Sequence, residues 1–168
     1  MSSDNPSGAG NQQRSLESRL SWLGGVIDGE GMITAIKRST AGRVQNGFAP
    51  RISITNTDPV MIDEVVSILR ETGLAFHLQQ KDGIGTWKRK LEVIIEGFKR
   101  CSQALPVLLP YLVSKREKAE RLLRLCESRI QSNSAPYTAE QVALALSLRE
   151  RSSNRSETTR RAPGSSVL

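Results

Sequence analysis

Two acidic residues, Asp28 and Glu30, alternate with Gly29 and Gly31 at the end of an apolar run that begins at Leu23. Carboxylate oxygens are ligands that hard divalent cations prefer, and small neighbouring residues let another backbone come close. The same pattern also has a purely structural interpretation, in which a buried helix ends in a glycine cap and Asp28 binds nearby backbone groups. The run therefore predicts either a functional acidic site or a capped helix end.

The acidic run follows a predicted helix that carries small residues on one side. Ser15 is a suitable N-cap, and apolar residues recur at helical spacing from Leu16 to Ile27. Ser21 and Gly25 lie four residues apart, so they share a face on which a second helix can approach closely. The acids would then emerge at the base of that helix contact.

The rest of the chain alternates between strand and helix patterns. Apolar and polar residues alternate from Ile33 to Arg38, and a turn pattern follows at 39–43. The later predicted elements are a strand at 48–55, a helix from Asp58 to Gly73, strands at 74–81 and 86–95 joined by an Asp-Gly-Ile-Gly hairpin, helices near 98–104, 115–128 and 138–150, and a proline-flanked segment at 105–111. This order predicts an α+β fold, with helices on one face of an antiparallel four-stranded sheet.

The composition favours one small domain with polar ends. Only 38% of the 168 residues are hydrophobic, and the deficit is concentrated at both ends. We predict disordered tails at 1–14 and 151–168, the second of them basic, around one domain at 15–150. The formal net charge of +7 and the pI near 9.9 favour a polyanionic partner, since Lys and Arg release counterions from phosphates.

Cys101 and Cys126 fall in predicted helices, with a spacing unlike that of zinc or haem motifs. Two core thiols in a reducing compartment are the simplest interpretation. No apolar stretch approaches the roughly 20 residues of a membrane span, and the N-terminus lacks a signal-peptide pattern. The sequence therefore predicts a soluble intracellular protein without a membrane partner, and it leaves a bacterial or phage cytoplasm and an organelle open.

The segments 22–31 and 109–119 resemble the LAGLIDADG homing endonuclease family. The positions in the acidic run that match the family consensus directly are Leu23, Gly25, Ile27, Asp28 and Gly31. The family also accepts the residues found at positions 29 and 30. The resemblance implies the αββαββα fold of that family, with a saddle-shaped sheet, over about residues 15–150. Because the signature occurs once, it also implies the single-motif type, in which two identical chains form a homodimer.

The resemblance further implies roles for residues of the signature. By position, Glu30 would bind a divalent metal ion beside each scissile phosphate, and the backbone carbonyl of Gly29 would be a second ligand. The expected ion is Mg²⁺, and Ca²⁺ is expected to bind without supporting cleavage. The helix contact across the two-fold axis of the dimer would involve Ser21, Gly24, Gly25 and Asp28.

Two residues outside the signature, Lys115 and Asn56, match catalytic positions of the family. Lys115 would reach the waters of the active site, and its alternative is a solvated lysine at the start of a helix. Asn56 would orient the same waters, or it could simply cap the turn into the next helix. A basic residue that some relatives carry early in that helix is missing, because Val60 and Met61 stand near its position.

The uncovered face of the sheet is the expected DNA-binding surface. A two-stranded ribbon fits the major groove, where Arg and Lys can read guanine, Gln can read adenine, and an aliphatic side chain can contact a thymine methyl group. A solvated polar face is the alternative, as in many antiparallel sheets. The predicted DNA-binding residues are Thr34, Ile36, Arg38, Arg51, Ser53, His77, Gln79, Lys81, Lys88 and Lys90.

The resemblance implies a site-specific endonuclease for double-stranded DNA. Such an enzyme would make a metal-dependent double-strand break with 3′ overhangs in a long, roughly palindromic target, and a free-standing chain of this kind would be encoded by an intron. An RNA-binding maturase, which assists intron splicing on the same scaffold, is the alternative. An inactive DNA-binding regulator fits less well, because the signature acids are present.

Overall fold

The structure, a computed structural model, describes residues 14–40, 43–81, 89–133 and 135–149. Within these residues, helices cover one face of a four-stranded antiparallel sheet, which confirms the predicted α+β fold class. The elements in chain order are α1 (Leu16–Glu30), β1 (Gly31–Thr40), β2 (Arg43–Asn56), α2 (Pro59–Glu71), β3 (His77–Lys81), β4 (Lys90–Glu96), α3 (Phe98–Leu108), a 3-10 turn (Leu109–Tyr111), α4 (Arg116–Gln131) and α5 (Ala139–Ser147).

Helix α1 begins where the sequence predicts and ends later. The hydroxyl oxygen of Ser15 accepts the backbone N–H of Ser18 at 3.2 Å, which satisfies a donor that the first turn would otherwise leave free. The helix continues to Glu30, about one turn beyond the predicted end at Ile27. Both acids of the signature therefore belong to the last helical turn rather than to a loop after it.

Helix α3 is continuous, whereas the sequence predicts a short helix and a separate proline-flanked segment. Pro106 lies inside it, although proline removes one helical hydrogen bond and usually bends or ends a helix. Leu105 and Leu108 on either side of the proline are fully buried. Their packing stabilises the last turn more than the lost hydrogen bond destabilises it, an effect that local sequence patterns do not reveal.

The strand order of the sheet is β1-β2-β4-β3, and each neighbouring pair is antiparallel. Ile33, Ile52 and Ile95 lie opposite one another in adjacent strands, so they share a face, and all three are buried. The predicted phase of the strands is therefore confirmed. The helices supply the other side of the core through Leu23, Ile27, Ile62, Leu69, Leu105 and Leu122.

The strand ends differ from the predicted ones. Strand β2 is longer than the predicted 48–55, and β3 starts three residues after the predicted position because Leu74 packs into the core before the strand begins. The predicted hairpin at 82–85 and Lys88 lie outside the described residues. So do residues 1–13 and 150–168, and with them almost all of the two predicted tails.

Cys101 on α3 and Cys126 on α4 are free and fully buried, in keeping with two core thiols. The hydrogen bond with Cys101, together with burial, raises the pKa of the Cys126 thiol. A buried thiol that stays protonated is chemically inert. In the part of the chain that the structure describes, no helix is long and apolar enough to cross a membrane.

Candidate active site and nucleic-acid interface

The C-terminal end of α1 carries the two acids, and Gly31 ends the helix. The backbone N–H of Gly31 donates to the carbonyl groups of Val26 and Ile27. A Cβ atom at position 31 would lie 2.7 Å from the carbonyl oxygen of Ile27, closer than real Cβ atoms come. Only glycine therefore fits this helix end, which passes directly into β1 and places Glu30 at the junction between helix and sheet.

Asp28 caps the start of α4. Its carboxylate accepts the backbone N–H groups of Val113 at 2.7 Å, Ser114 at 3.1 Å and Lys115 at 2.9 Å. Burial raises the pKa of Asp28, but these N–H groups outweigh it and hold the pKa below its usual value. The sequence left open that Asp28 binds backbone groups, and the structure assigns it this role. Its carboxylate is thus occupied within its own chain rather than at the predicted dimer contact.

Lys115 is bound to the end of α1. Its ammonium group donates to the carbonyl oxygens of Ile27 at 2.8 Å, Asp28 at 2.8 Å and Gly31 at 2.7 Å. An ammonium group has three N–H donors, so these contacts use all of them. Burial lowers the pKa of Lys115, and the charge of Asp28 partly opposes this effect.

The positive charge of Lys115 lies where the helix dipole and Asp28 concentrate negative charge. The geometry differs from the predicted contact with active-site waters, because the ammonium has no donor left for them. Lys115 instead positions the backbone from which Glu30 projects. The half-buried ammonium differs from the solvated lysine that the sequence left open, and the catalytic role of Lys115 stays a prediction.

Asn56 contacts the predicted metal ligand directly. Its side-chain amide nitrogen donates to Glu30 Oε2 at 2.8 Å and lies 2.9 Å from the sulfur of Met61. Its amide oxygen accepts the backbone N–H of Asp58 at 2.9 Å, which shapes the turn into α2. The turn-forming interpretation of Asn56 is therefore confirmed by its amide oxygen, while its amide nitrogen orients the Glu30 carboxylate. The predicted contact of Asn56 with active-site waters stays a prediction.

The donor set at this end of α1 suits a hard cation. Glu30 and Gly29 are exposed, and a Cβ atom at Gly29 would have nothing within 4 Å, so the neighbouring backbone is open to a ligand. Across the described residues, no group of three or more His, Cys, Asp or Glu side chains is close enough to hold a metal ion. Among the described residues, one chain thus offers at this helix end the exposed Glu30 carboxylate, which also accepts from Asn56, and backbone carbonyls, a set that Mg²⁺ completes with waters or phosphate oxygens.

The expected basic residue at the start of α2 is indeed missing from the site. Val60 is 74% exposed there and carries no charge. Arg51 could replace such a residue only from the sheet, where it forms an ion pair with Glu96.

The exposed side of α1 contains part of the predicted dimer contact. Ser21 and Gly25 are exposed, and a Cβ atom at Gly25 would meet nothing within 4 Å. Gly24 is different, because a Cβ atom there would lie 2.3 Å from the carbonyl oxygen of Tyr111 in the same chain. The small size of Gly24 is thus required by intrachain packing against the 3-10 turn, and its place in the dimer contact stays a prediction.

The predicted DNA-binding residues that the structure describes share the outer face of the sheet. Thr34 lies opposite Arg51, Ser53 lies opposite Ile94, and Ile94 lies opposite His77. Side chains alternate along each strand, so this register extends to the remaining predicted positions. The predicted DNA-binding residues on this face, within the part of the chain that the structure describes, are Thr34, Ile36, Arg38, Arg51, Ser53, His77, Gln79, Lys81 and Lys90.

Contacts within the outer face distinguish its members. Ser53 is only 4% exposed, and the Thr34 hydroxyl donates to the carbonyl oxygen of Leu148 at 3.2 Å, so these two residues contribute least to a contact surface. His77 and Gln79 are exposed. The outer face also holds two acids that the prediction did not include among its DNA-binding residues, Glu92 and Glu96, which form ion pairs with the basic residues Lys81, Arg38 and Arg51.

Asp28 should make the stability of the protein depend on acidic pH. Since its folded-state pKa lies below the unfolded value of about 3.9, its contribution is complete above that value and is lost as the pH falls through the folded pKa. We expect Asp28→Ala to lower the free energy of unfolding at pH 7 by about 1 kcal/mol, as for loss of a helix cap. The variant should also lose less stability than the wild type on acidification. Urea unfolding between pH 7 and pH 3 measures both effects, and parallel pH curves would contradict this role.

The sequence matches no family model, and no curated protein resembles it closely enough to count as a relative. Solved structures do resemble its fold. The homing endonuclease I-CvuI, in complex with the I-CreI target, is 19% identical, with a TM-score of 0.66 over 79% of this chain and 81% of that one. The group I intron-encoded homing endonuclease I-CeuI, complexed with DNA, is 18% identical, with a TM-score of 0.64 over 83% of this chain and 69% of that one.

The LAGLIDADG homing endonuclease I-GzeII, in complex with its DNA target, is 14% identical, with a TM-score of 0.56. That match covers 77% of this chain and 43% of I-GzeII. Together with the strand order and the helix layer described above, these similarities establish the architecture. The chain has the fold of the LAGLIDADG homing endonucleases.

Proposed function

We propose that this chain belongs to the LAGLIDADG homing endonucleases and is a site-specific, Mg²⁺-dependent endonuclease for double-stranded DNA. The observation that carries the proposal is the exposed Glu30 carboxylate at the junction of α1 and β1, which Asn56 orients at 2.8 Å. Strand β1 leads directly from this acid into the outer face of the sheet. The structural neighbours I-CvuI, I-CeuI and I-GzeII are all DNA complexes, which supports the same substrate class.

The residues at the end of α1 would hold and orient the metal site. A bound Mg²⁺ would stabilise negative charge on the attacking and leaving oxygens of the phosphodiester. Glu30 and the carbonyl of Gly29 are its protein ligands in this proposal. Asn56 orients Glu30, Lys115 binds backbone carbonyl groups of the helix end, and the Asp28 carboxylate connects that end to the start of α4. Ca²⁺ is expected to bind these oxygens without supporting cleavage, and I-CvuI was solved with its target in the presence of Ca.

Two copies of the chain would form the active enzyme. One chain provides one such carboxylate, so cleavage of two strands calls for a second copy. In an isologous dimer, the exposed Gly25 and Ser21 face of α1 would meet the same face of its partner. Small residues there let the two helix ends come close, which would bring the two Glu30 carboxylates near the two-fold axis.

The dimer would bind a long, roughly palindromic target along the two outer faces. A strand of about eight residues spans roughly 26 Å, so each subunit can follow about one helical turn of DNA. Cleavage on both strands would leave 3′ overhangs. I-CeuI is encoded by a group I intron, and we propose the same kind of origin for this chain.

Selection from a randomised duplex library tests this function without knowledge of the target. The purified protein is incubated with the library and Mg²⁺, and the cut ends are sequenced. We expect one long, approximately two-fold symmetric site with a fixed 3′ overhang, and no cutting with EDTA. Cleavage without sequence preference, or no cleavage in any divalent cation tested, would contradict the proposal. Binding and splicing of an RNA in place of duplex cleavage would favour the maturase.

A further inference from the structure

Two arginines on the outer face converge on one carboxylate. Arg51 donates its Nε to Glu96 Oε2 at 2.8 Å and makes a second hydrogen bond to the same oxygen through Nη2. Arg38 donates its Nη2 to the other oxygen, Oε1. The three residues come from three adjacent strands, β2, β4 and β1, so Glu96 joins the central strands of the sheet to its edge.

The cluster is anchored at the sheet and open toward solvent. The side chain of Glu96 is 14% exposed, that of Arg51 is 25% exposed and that of Arg38 is 64% exposed. Gly47 and Ala49 lie opposite Arg38 and Ile36 in β2, and their small size leaves room for Arg38 to reach across the strand. Burial raises the pKa of Glu96, but the hydrogen bonds and charges of the two arginines lower it by a larger amount. The net pKa therefore lies below its usual value, and the carboxylate is charged at neutral pH.

The contacts leave part of each guanidinium available. Arg51 uses its Nε edge for Glu96, and its outer Nη1 group has no part in these bonds. A guanidinium is a planar fork of several N–H donors, and two of them can bind O6 and N7 of one guanine in the major groove. Because Glu96 fixes the plane of the fork, Arg51 loses less conformational entropy when it binds a base.

We propose that Glu96 is a positioning residue for sequence recognition, which holds Arg51 and Arg38 as readers of guanine rather than as general phosphate contacts. The inference rests on the proposed function and specifies how that site selects its DNA. A carboxylate on a DNA-facing surface repels phosphates, so it lowers affinity for DNA in general. Glu96 is therefore expected to improve discrimination between bases rather than overall affinity for DNA.

The test compares three proteins in a binding selection from a randomised duplex library with Ca²⁺. They are the wild type, Glu96→Gln and a charge-matched control, Glu92→Gln, which removes the other acid that forms an ion pair on the outer face. A glutamine accepts through only one oxygen, so Glu96→Gln releases one arginine. We expect it to lower the guanine preference about tenfold at one or two base pairs per half-site. Affinity for unselected duplex should stay equal or rise.

The Glu92→Gln control distinguishes the loss of arginine positioning from the loss of one negative charge. Glu92→Gln should raise affinity for unselected DNA similarly and keep the guanine preference at those base pairs. Arg51→Lys provides a third variant for the same selection, which retains the positive charge but lacks the planar fork. We expect it to lose preference at a subset of the base pairs that Glu96→Gln affects, and thermal melting verifies that each variant is folded.

The selection results distinguish failure of the positioning role of Glu96 from failure of the proposed function. If the wild type selects a site and Glu96→Gln selects it with the same preference at every base pair, the positioning role is wrong and the proposed function stands. An equal loss at all base pairs would also overturn the positioning role, because it would indicate a general structural effect. If the wild type selects no duplex sequence, both the proposed function and this inference are wrong.

Discussion

Replacing Glu30 with glutamine is expected to reduce DNA cleavage by about 10³-fold or more, while DNA affinity changes little. The variant removes the charged ligand of the proposed Mg²⁺ site, and charge stabilisation by such an ion contributes several kcal/mol to phosphodiester hydrolysis. Glutamine keeps the size of the side chain. Its amide oxygen can still accept from Asn56, which binds Glu30 at 2.8 Å, so the local structure should persist. Single-turnover cleavage of the selected duplex measures the loss, and binding in Ca²⁺ measures the affinity.

Glu17→Gln is the matched control for this prediction. Glu17 is an exposed acid in the first turn of the same helix, at the opposite end from Glu30. The control should cut DNA at the wild-type rate. Undiminished cleavage by Glu30→Gln would show that the metal ligand has been assigned to the wrong residue, and an equal loss in both variants would indicate a general charge effect.

Replacing Gly25 with leucine is expected to dissociate the dimer and, because cleavage of both strands requires two copies, to abolish double-strand cleavage. Within one chain the substitution is tolerated, since a Cβ atom at position 25 would have nothing within 4 Å. Across a two-fold axis, each chain would push a leucine into its partner, and overpacking costs about 1–3 kcal/mol per site. The dimer dissociation constant should then rise on the order of 100-fold or more. Analytical ultracentrifugation over a concentration series measures it.

Gly24→Ala provides the contrast, because its effect should lie within one chain. The added Cβ atom would lie 2.3 Å from the carbonyl oxygen of Tyr111, so the 3-10 turn must shift. We expect a lower melting temperature for this variant, whereas Gly25→Leu should melt near the wild-type monomer. A Gly25→Leu protein that is monomeric and still cuts both strands in one binding event would contradict the shared helix contact.

Much of the fold could be predicted from the sequence, because its signals are local and repeated. Alternation along β1 and β2 places Ile33 and Ile52 in the core, and the structure confirms it. The start of α2 follows from Asp58 and Pro59. The end of α1 was predicted too early, because the glycines at 29 and 31 interrupt the apolar pattern while Lys115, 84 residues after Gly31, stabilises the last turn.

The site was harder to predict, since its contacts join distant parts of the chain. The sequence identifies Glu30 and Asn56 as candidates, and the structure brings them together. It offers no pattern that links Gly24 to Tyr111, so a glycine required by packing resembles one required by a dimer. The role of Glu96 was also missed, because the sequence does not show that this acid forms ion pairs with Arg38 and Arg51 on the predicted DNA-binding face.

A crystal structure of the protein with its selected duplex and Ca²⁺ tests the central claim most directly. We expect two copies of the chain on one duplex, with the Glu30 carboxylate of each copy about 2.4 Å from a calcium ion that also contacts a backbone phosphate. Asn56 should remain hydrogen bonded to Glu30. A complex in which a single chain occupies the site, or in which Glu30 lies away from every bound cation and phosphate, would contradict it.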